Sequence, residues 1–352
     1  MKKKVLSIVF VLCMVCGTLS LAGCGNANKV TLNVYNWGEY IDLSVLPEFE
    51  KETGIKVNYT TYASNEEMYA KVSSGAASYD VVIPSDYMIG KMIEEDMLAE
   101  LDFANIPNYS YIGEDYKGLE YDPENKYTVP YTWGTTVVIY NKTMVDPADA
   151  AQQSVNLLWN EKYKDQILMF DNPRDAFGVA LSKLGYSLNT TDPEAWKAAA
   201  AELKAQKPLL QAYVMDQIFD KMESGEAAIA PYYAGDALII QEENPDIDYY
   251  IPKEGANMFV DAMCVLKNSA HKAEAEAFIN FMCRTDVAVK TAEVIGYATP
   301  HTAAKEQLDP AITGNTVVYA DAATLANTEV FLNLNPEISK LQSELWTDIK
   351  KD

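Results

Sequence analysis

The residues of this chain able to do chemistry are acids set beside aromatic rings. Trp37-Gly38-Glu39-Tyr40 is the first such group and Ser85-Asp86-Tyr87 the second. Asp171-Asn172-Pro173-Arg174-Asp175, Tyr232-Tyr233-Ala234-Gly235-Asp236 and Phe259-Val260-Asp261 follow, and Tyr297 stands in a turn over 295–300. A buried ammonium needs a carboxylate, because an unpaired buried charge costs several kcal/mol. The alkyl chain between two ammonium groups needs apolar or aromatic walls, and each ring face attracts a cation by roughly 0.5–2 kcal/mol. Acids interleaved with rings therefore suit a small organic dication. Taken singly, each tyrosine also reads as a core aromatic with a bonded hydroxyl, and each aspartate as a turn former or cap. The recurrence of the pairing, mostly at strand ends, favours binding.

Other chemistries find less support. The only histidines are His271 and His301, and there is no Gly-x-Ser-x-Gly elbow, phosphate-cradling glycine loop or zinc-protease helix. No cofactor or metal is implied, and the chain does not read as an enzyme. A hydrolase using two acids stays open by inventory, since it needs only two carboxyls at a fixed separation about a cleft. Ferric iron is a further rival through the paired Tyr232 and Tyr233, but no matching histidine or second tyrosine cluster accompanies them. The net charge is -23, with no basic run after Lys4. That argues against nucleic acid and against electrostatic attraction to an anionic membrane, while favouring a cationic small molecule.

Elements that position these residues come next. Residues 1–23 read as a secretory leader, with Lys2, Lys3 and Lys4 before an apolar stretch. Leu21-Ala22-Gly23-Cys24 resembles the bacterial lipobox, which implies cleavage before Cys24 and lipidation of its thiol. Residues 24–28 would be a lipidated polar tether, placing the chain extracytoplasmically on a membrane. Cys264 and Cys283 could pair in an exported protein, but both lie in apolar runs and read better as two separate buried thiols. Strands over 30–35, 56–62 and 79–84 alternate with helices over 43–53, 66–74 and 89–96, which predicts βαβ units and a mostly parallel sheet. Such sheets bind ligands outside the carboxyl ends of their strands, here at 36–40 and 85–87. A β-rich run over 127–140 is expected to break at Pro130 and Gly134, and 148–160 is expected to be helical. A length of 352 residues exceeds a single core, so two lobes are expected.

Tyr35-Asn36-Trp37-Gly38-Glu39-Tyr40, Glu50-Lys51-Glu52-Thr53-Gly54, Ser64-Asn65-Glu66-Glu67-Met68-Tyr69, Tyr79-Asp80-Val81-Val82-Ile83-Pro84-Ser85, Pro130-Tyr131-Thr132-Trp133-Gly134 and Gly296-Tyr297-Ala298-Thr299-Pro300 occur in this order over nearly all of the chain after the leader. As a set they resemble the bacterial spermidine/putrescine-binding proteins. The resemblance implies an α/β fold of the periplasmic-binding-protein type (type II), with two lobes, a hinge and a ligand cleft between them. It implies lobe 1 from 29–134 plus 260–305, and lobe 2 from 135–259 plus 306–352. Such a protein closes on a polyamine and passes it to the permease subunits of an ATP-driven importer, usually as a monomer.

The resemblance also implies roles. Trp37 and Tyr40 line one wall, Glu39 meets an amine, and Ser85 and Tyr87 are polar contacts of the same lobe. Asp175 holds an ammonium from the other lobe, with Asn172 beside it. Phe259 stacks on the ligand, Asp261 is a main carboxylate, and Tyr297 closes the end. Tyr233 stands where spermidine binders carry tryptophan, and their late glutamine contact is lost near Phe331. Asp236 with Phe259 looks more like the putrescine-preferring members, so putrescine is expected ahead of spermidine. The rivals are a binder of another solute (ferric iron, an amino acid or a sugar), an extracellular two-acid hydrolase such as a glycosidase, and an adhesin or sensor.

Overall fold

The computed structural model describes residues 30–75 and 77–351. The leader, Cys24 and the tether lie outside the described residues. The β-branched, alternating segment after the tether forms β1 (Thr31–Trp37), followed by α1 (Val45–Thr53), β2 (Lys56–Tyr62), α2 (Asn65–Ser73), β3 (Val81–Val82) and α3 (Asp86–Glu94). Gly54 ends α1 in the left-handed conformation at φ 76°, as expected of a glycine past a helix end. The Ser64 hydroxyl caps α2 by accepting from Glu67 N. The third strand is shorter than expected. Asp80 Oδ2 takes the Asn33 N–H at 2.8 Å in place of a ladder carbonyl, and Pro84 has no N–H to continue the ladder.

Next come β4 (Thr128–Asn141), α4 (Pro147–Ala150), β5 (Ile167–Phe170), α5 (Pro173–Leu184), α6 (Pro193–Gln206), β6 (Leu210–Val214), α7 (Ile218–Glu223), β7 (Ile229–Tyr233), α8 (Ala234–Glu243), β8 (Ile247–Tyr250) and β9 (Ala256–Val265). The chain ends through α9 (Lys272–Met282), α10 (Thr285–Ile295), three single-turn helices α11 (Thr302–Lys305), α12 (Pro310–Thr313) and α13 (Ala322–Leu325), then β10 (Thr328–Glu329) and α14 (Pro336–Lys350). Two expectations are corrected. β4 does not break at Pro130 and Gly134; a register shift between Pro130 and Thr132 absorbs the missing donor. The helix expected over 148–160 is only α4 and a 3-10 turn (Val155–Trp159), because Gln153 takes φ 46° and the Ser154 hydroxyl starts the new turn by accepting from Asn156 N.

Strand order is β2-β1-β3-β9-β4, then β4-β7-β5-β6, with β8 on β4 and β10 on β9. β4 therefore serves two sheets. Its first half pairs antiparallel with β9, and its second half with β7 and β8. β1, β2 and β3 are parallel in the first sheet, and β5, β6 and β7 in the second. The alternation of strand and helix thus yields parallel units, and the two long strands that join them are antiparallel. Phe49 packs edge-on against Phe278 and Phe281, each at 5.3 Å, in the first sheet's core. Phe177 and Trp196 meet at 5.3 Å in the second, where α14 packs on α6. Cys264 and Cys283 are separate buried thiols. Among the described residues no helix is long and apolar enough to cross a membrane.

Candidate functional site

The carboxyl ends of the strands in both sheets converge on one cavity, which encloses about 640 Å³ counted with its open mouth. From the first sheet, the end of β1 supplies Trp37 and the turn after it Tyr40, the start of α3 supplies Ser85, Asp86 and Tyr87, and β9 supplies Phe259 and Asp261. From the second, the start of α5 supplies Asn172 and Asp175, and the β7–α8 junction supplies Tyr233 and Asp236. Tyr297, just past α10, completes the wall. Among the described residues no lysine or arginine lines the cavity, while five aspartates do: 86, 175, 216, 236 and 261.

Rings frame the acids. Tyr40 meets Tyr297 edge-on at 5.0 Å, Tyr233 meets Phe259 edge-on at 5.5 Å, and Phe259 meets Tyr297 at 6.1 Å. Each of three acids is held by a tyrosine hydroxyl: Tyr40 Oη donates to Asp261 Oδ2 at 2.8 Å, Tyr297 Oη to Asp236 Oδ2 at 2.8 Å, and Tyr233 Oη to Asp175 Oδ2 at 3.0 Å. Thr132 Oγ1 also contacts Tyr40 Oη, and Tyr131 Oη donates to Tyr40 O, fixing that ring. Trp37 is fixed by its indole N–H, which donates to Ile83 O at 2.8 Å. Asp86 accepts from its neighbour's backbone, Tyr87 N, at 2.7 Å. Asp261 Oδ1 is buried and makes no hydrogen bond.

Burial dominates the electrostatics, because it disfavours the charged form of a carboxyl. It pushes Asp261 up to about 6, Asp175 to about 7 and Asp236 to about 8, against the partial restraint of Ser85 and then Tyr40 at Asp261 and of the tyrosine bonds at the other two. Asp86 is raised well above the ordinary range by burial, its two backbone donors pulling the other way. Asp216, at the exposed rim, is raised by desolvation first and by the charge of Glu39 second. One cation is near: Arg174, fully buried behind the wall, whose own value burial lowers to about 10. Among the described residues it makes no ion pair; its nitrogens donate to Leu188 O, Asn189 Oδ1 and Leu332 O. The cavity thus holds more acid than it can neutralise alone, which is the arrangement expected of a cation site.

A model of the bacterial extracellular solute-binding proteins matches residues 45–327. This chain belongs to that family. The solute-binding protein is 40% identical over 300 residues to the "Spermidine/putrescine-binding periplasmic protein" of Escherichia coli (strain K12), covering 85% of this chain and 86% of the relative. Its structure resembles that of the spermidine/putrescine ABC transporter substrate-binding protein PotD from Streptococcus pneumoniae, with TM-score 0.77, 38% identity, and coverage of 92% and 99%. The TpPotD lipoprotein of Treponema pallidum matches with TM-score 0.80 at 27% identity, covering 92% of this chain and all of that one, at 100%. The α/β fold of periplasmic binding proteins, expected from the sequence, is therefore the fold observed.

The solute-binding protein places eleven of the sequence-predicted contacts in the cavity wall, namely Trp37, Tyr40, Ser85, Tyr87, Asn172, Asp175, Tyr233, Asp236, Phe259, Asp261 and Tyr297. Glu39 is not in that wall. It is exposed, at φ 47°, next to Gly38. Sequence reasoning did not assign Asp86, Asp216, Asn257, Tyr232 or Phe331, which also line it. Asp86 lies inside a motif that was singled out for its neighbours. Asp216 follows β6, at the carboxyl end of a parallel strand, and recognising 210–214 as a strand would have pointed to it.

Proposed function

We infer that this chain is the extracytoplasmic polyamine-binding subunit of an ATP-driven importer and not an enzyme. One observation carries the reading: buried aspartates from both sheets face one ring-walled cavity that no lysine or arginine among the described residues lines. Each end of a diammonium would pair with carboxylates, Asp261 and Asp86 on one side, Asp175 and Asp236 on the other. Rings would cover the alkyl chain. The names of the relatives support polyamines as the solute class. Putrescine is the preferred ligand and spermidine the second.

The two sheets are the cores of two lobes, with boundaries as the sequence predicts: 29–134 plus 260–305, and 135–259 plus 306–352. β4 and β9 cross between them and serve as the hinge. Closure brings acids of both lobes onto one ligand, so a polyamine binds the closed form more tightly and shifts the population toward it. The permease subunits then recognise the closed form. Cys24 carries the lipid that tethers a monomeric protein to the membrane, after removal of the leader. The lipoprotein from Treponema pallidum supports that anchoring.

Calorimetric titration of purified protein, unfolded and refolded to strip carried-over ligand, tests the reading. Putrescine, spermidine, cadaverine and arginine are the ligands. Micromolar or tighter binding of putrescine, weaker binding of spermidine and none of arginine is expected. Absence of both heat and thermal stabilisation with every polyamine would remove it.

A further inference from the structure

In the first half of β4 one residue too many faces β9. Pro130 pairs with Ala262 and Thr132 with Asp261, so Tyr131 is an extra residue in the ladder. In a regular strand Tyr131 and Thr132 would point to opposite faces. The bulge lets both reach Tyr40. Tyr131 Oη donates to Tyr40 O at 2.6 Å, and its ring meets the Tyr40 ring edge-on at 5.7 Å. Thr132 Oγ1 meets Tyr40 Oη, which bonds Asp261 Oδ2 at 2.8 Å, and Thr132 stands opposite Asp261 in the ladder. Thr132, Tyr40 and Asp261 are all buried, so water does not compete for these bonds. Neither Tyr131 nor Thr132 lines the ligand cavity.

A tyrosine hydroxyl has one proton to give. Tyr40 gives it to the Asp261 carboxylate, so Thr132 is the donor to Tyr40, and the chain runs from Thr132 through Tyr40 to Asp261. We propose that Thr132 is a positioning residue for ligand binding: its hydroxyl turns the Tyr40 proton onto Asp261 Oδ2 and leaves Oδ1 as the oxygen that meets an ammonium. This role rests on the polyamine reading above. Asp261 Oδ1 is buried without a hydrogen bond, as befits an oxygen kept for a cation. Hydrogen bonds in series polarise one another, so the donor behind Tyr40 strengthens its bond to the carboxylate. The β-branched threonine holds that donor in place, since its χ1 is restricted. Without it the Tyr40 hydroxyl is free to turn away, and ligand binding has to order it. Thr132 touches no ligand and acts through Tyr40.

The test is a double-mutant cycle, read by calorimetric titration with putrescine and by ligand-free melts. Thr132→Val keeps the shape and removes the hydroxyl; it is expected to weaken putrescine about fivefold or more, the loss of one hydrogen bond. Thr132→Ser keeps the hydroxyl, so affinity is expected within about threefold of wild type. Tyr40→Phe is expected to cost more than Thr132→Val. Adding Thr132→Val to Tyr40→Phe is then expected to cost less than about twofold further, because both act through one bond. Should the valine variant fail to fold, Thr132→Ala takes its place in the cycle. Losses that multiply in the double variant, a serine variant as weak as the valine one, or a folded valine variant with wild-type affinity would overturn the role. Wild type that binds no polyamine would remove the functional reading and this role with it.

Discussion

At the scale of single residues, Asp261 shows what an empty cation site costs the protein. Its carboxyl is buried, pushed up to about 6, and satisfied at only one oxygen. Near pH 7.5 it is ionised with no cation beside it. Asp261→Asn removes that charge and keeps the shape. The ligand-free variant should melt at the wild-type temperature or a few degrees higher, yet lose about 2–5 kcal/mol of putrescine binding, roughly thirty- to several-thousand-fold in affinity. Paired melts and titrations check both halves. A drop in the ligand-free melting temperature would show that Asp261 serves the fold instead. Trp37→Ala should also weaken binding with the fold intact, since that ring lines the cavity from the last residue of β1 and is only partly buried. These residues were legible in the sequence because acid and ring lie within a few positions of each other. Asp216 was not, since β6, the strand it follows, was not recognised in the sequence.

At the scale of elements, the two sides approach closely where a glycine makes room. Tyr297 lies flat on Gly235 at the start of α8, so that a Cβ there would fall 2.2 Å from its ring. Gly296, at φ 73° past α10, approaches from the other side, with Gly235 O 2.6 Å from where its Cβ would be. The contact seats the Tyr297 hydroxyl on Asp236. Gly235→Ala should push Tyr297 out, break that bond and lower putrescine affinity at least tenfold. The far-UV spectrum should be unchanged, because alanine favours helix more than glycine by about 1 kcal/mol. Titration beside small-angle scattering with and without ligand would show whether closure fails; unchanged affinity would mean that the contact is not needed. The sequence shows a glycine at each position but not that the two must touch.

For the whole molecule, acids dominate, with a net charge of -23. Asp175, Asp236 and Asp261 sit at about 7, 8 and 6 in the fold, all above their ordinary 3.8. A raised value means that the fold favours the protonated form. The stability this contributes is complete below about pH 4 and lost as pH rises through 6 to 8. Ligand-free protein should therefore melt at a lower temperature at pH 8 than at pH 5.5. A dication favours the ionised carboxylates, so binding releases protons and affinity rises over the same interval. Calorimetry in buffers of different ionisation heat should show net proton release near pH 7; equal heats in all buffers would contradict it. Raising salt should slow association more than it speeds dissociation, because the steering field is screened within about 10 Å at 0.1 M.

The sequence by itself determined the local elements and the residue types of the site. Periodicity placed β1, β2 and their helices, Gly54 and Ser64 marked helix ends, and acid beside ring marked the strand-end loops. These are properties of contiguous residues, so a linear reading reaches them. Tertiary structure alone decided which loops meet. It put Tyr297 on Asp236, 61 positions away, Tyr40 on Asp261, 221 away, and Phe331 against Arg174. It left Glu39 outside the wall and brought Asp216 in. β4 could be read as a strand but not as a member of two sheets, because pairing partners are fixed by the packing of distant segments and not by the strand's own residues.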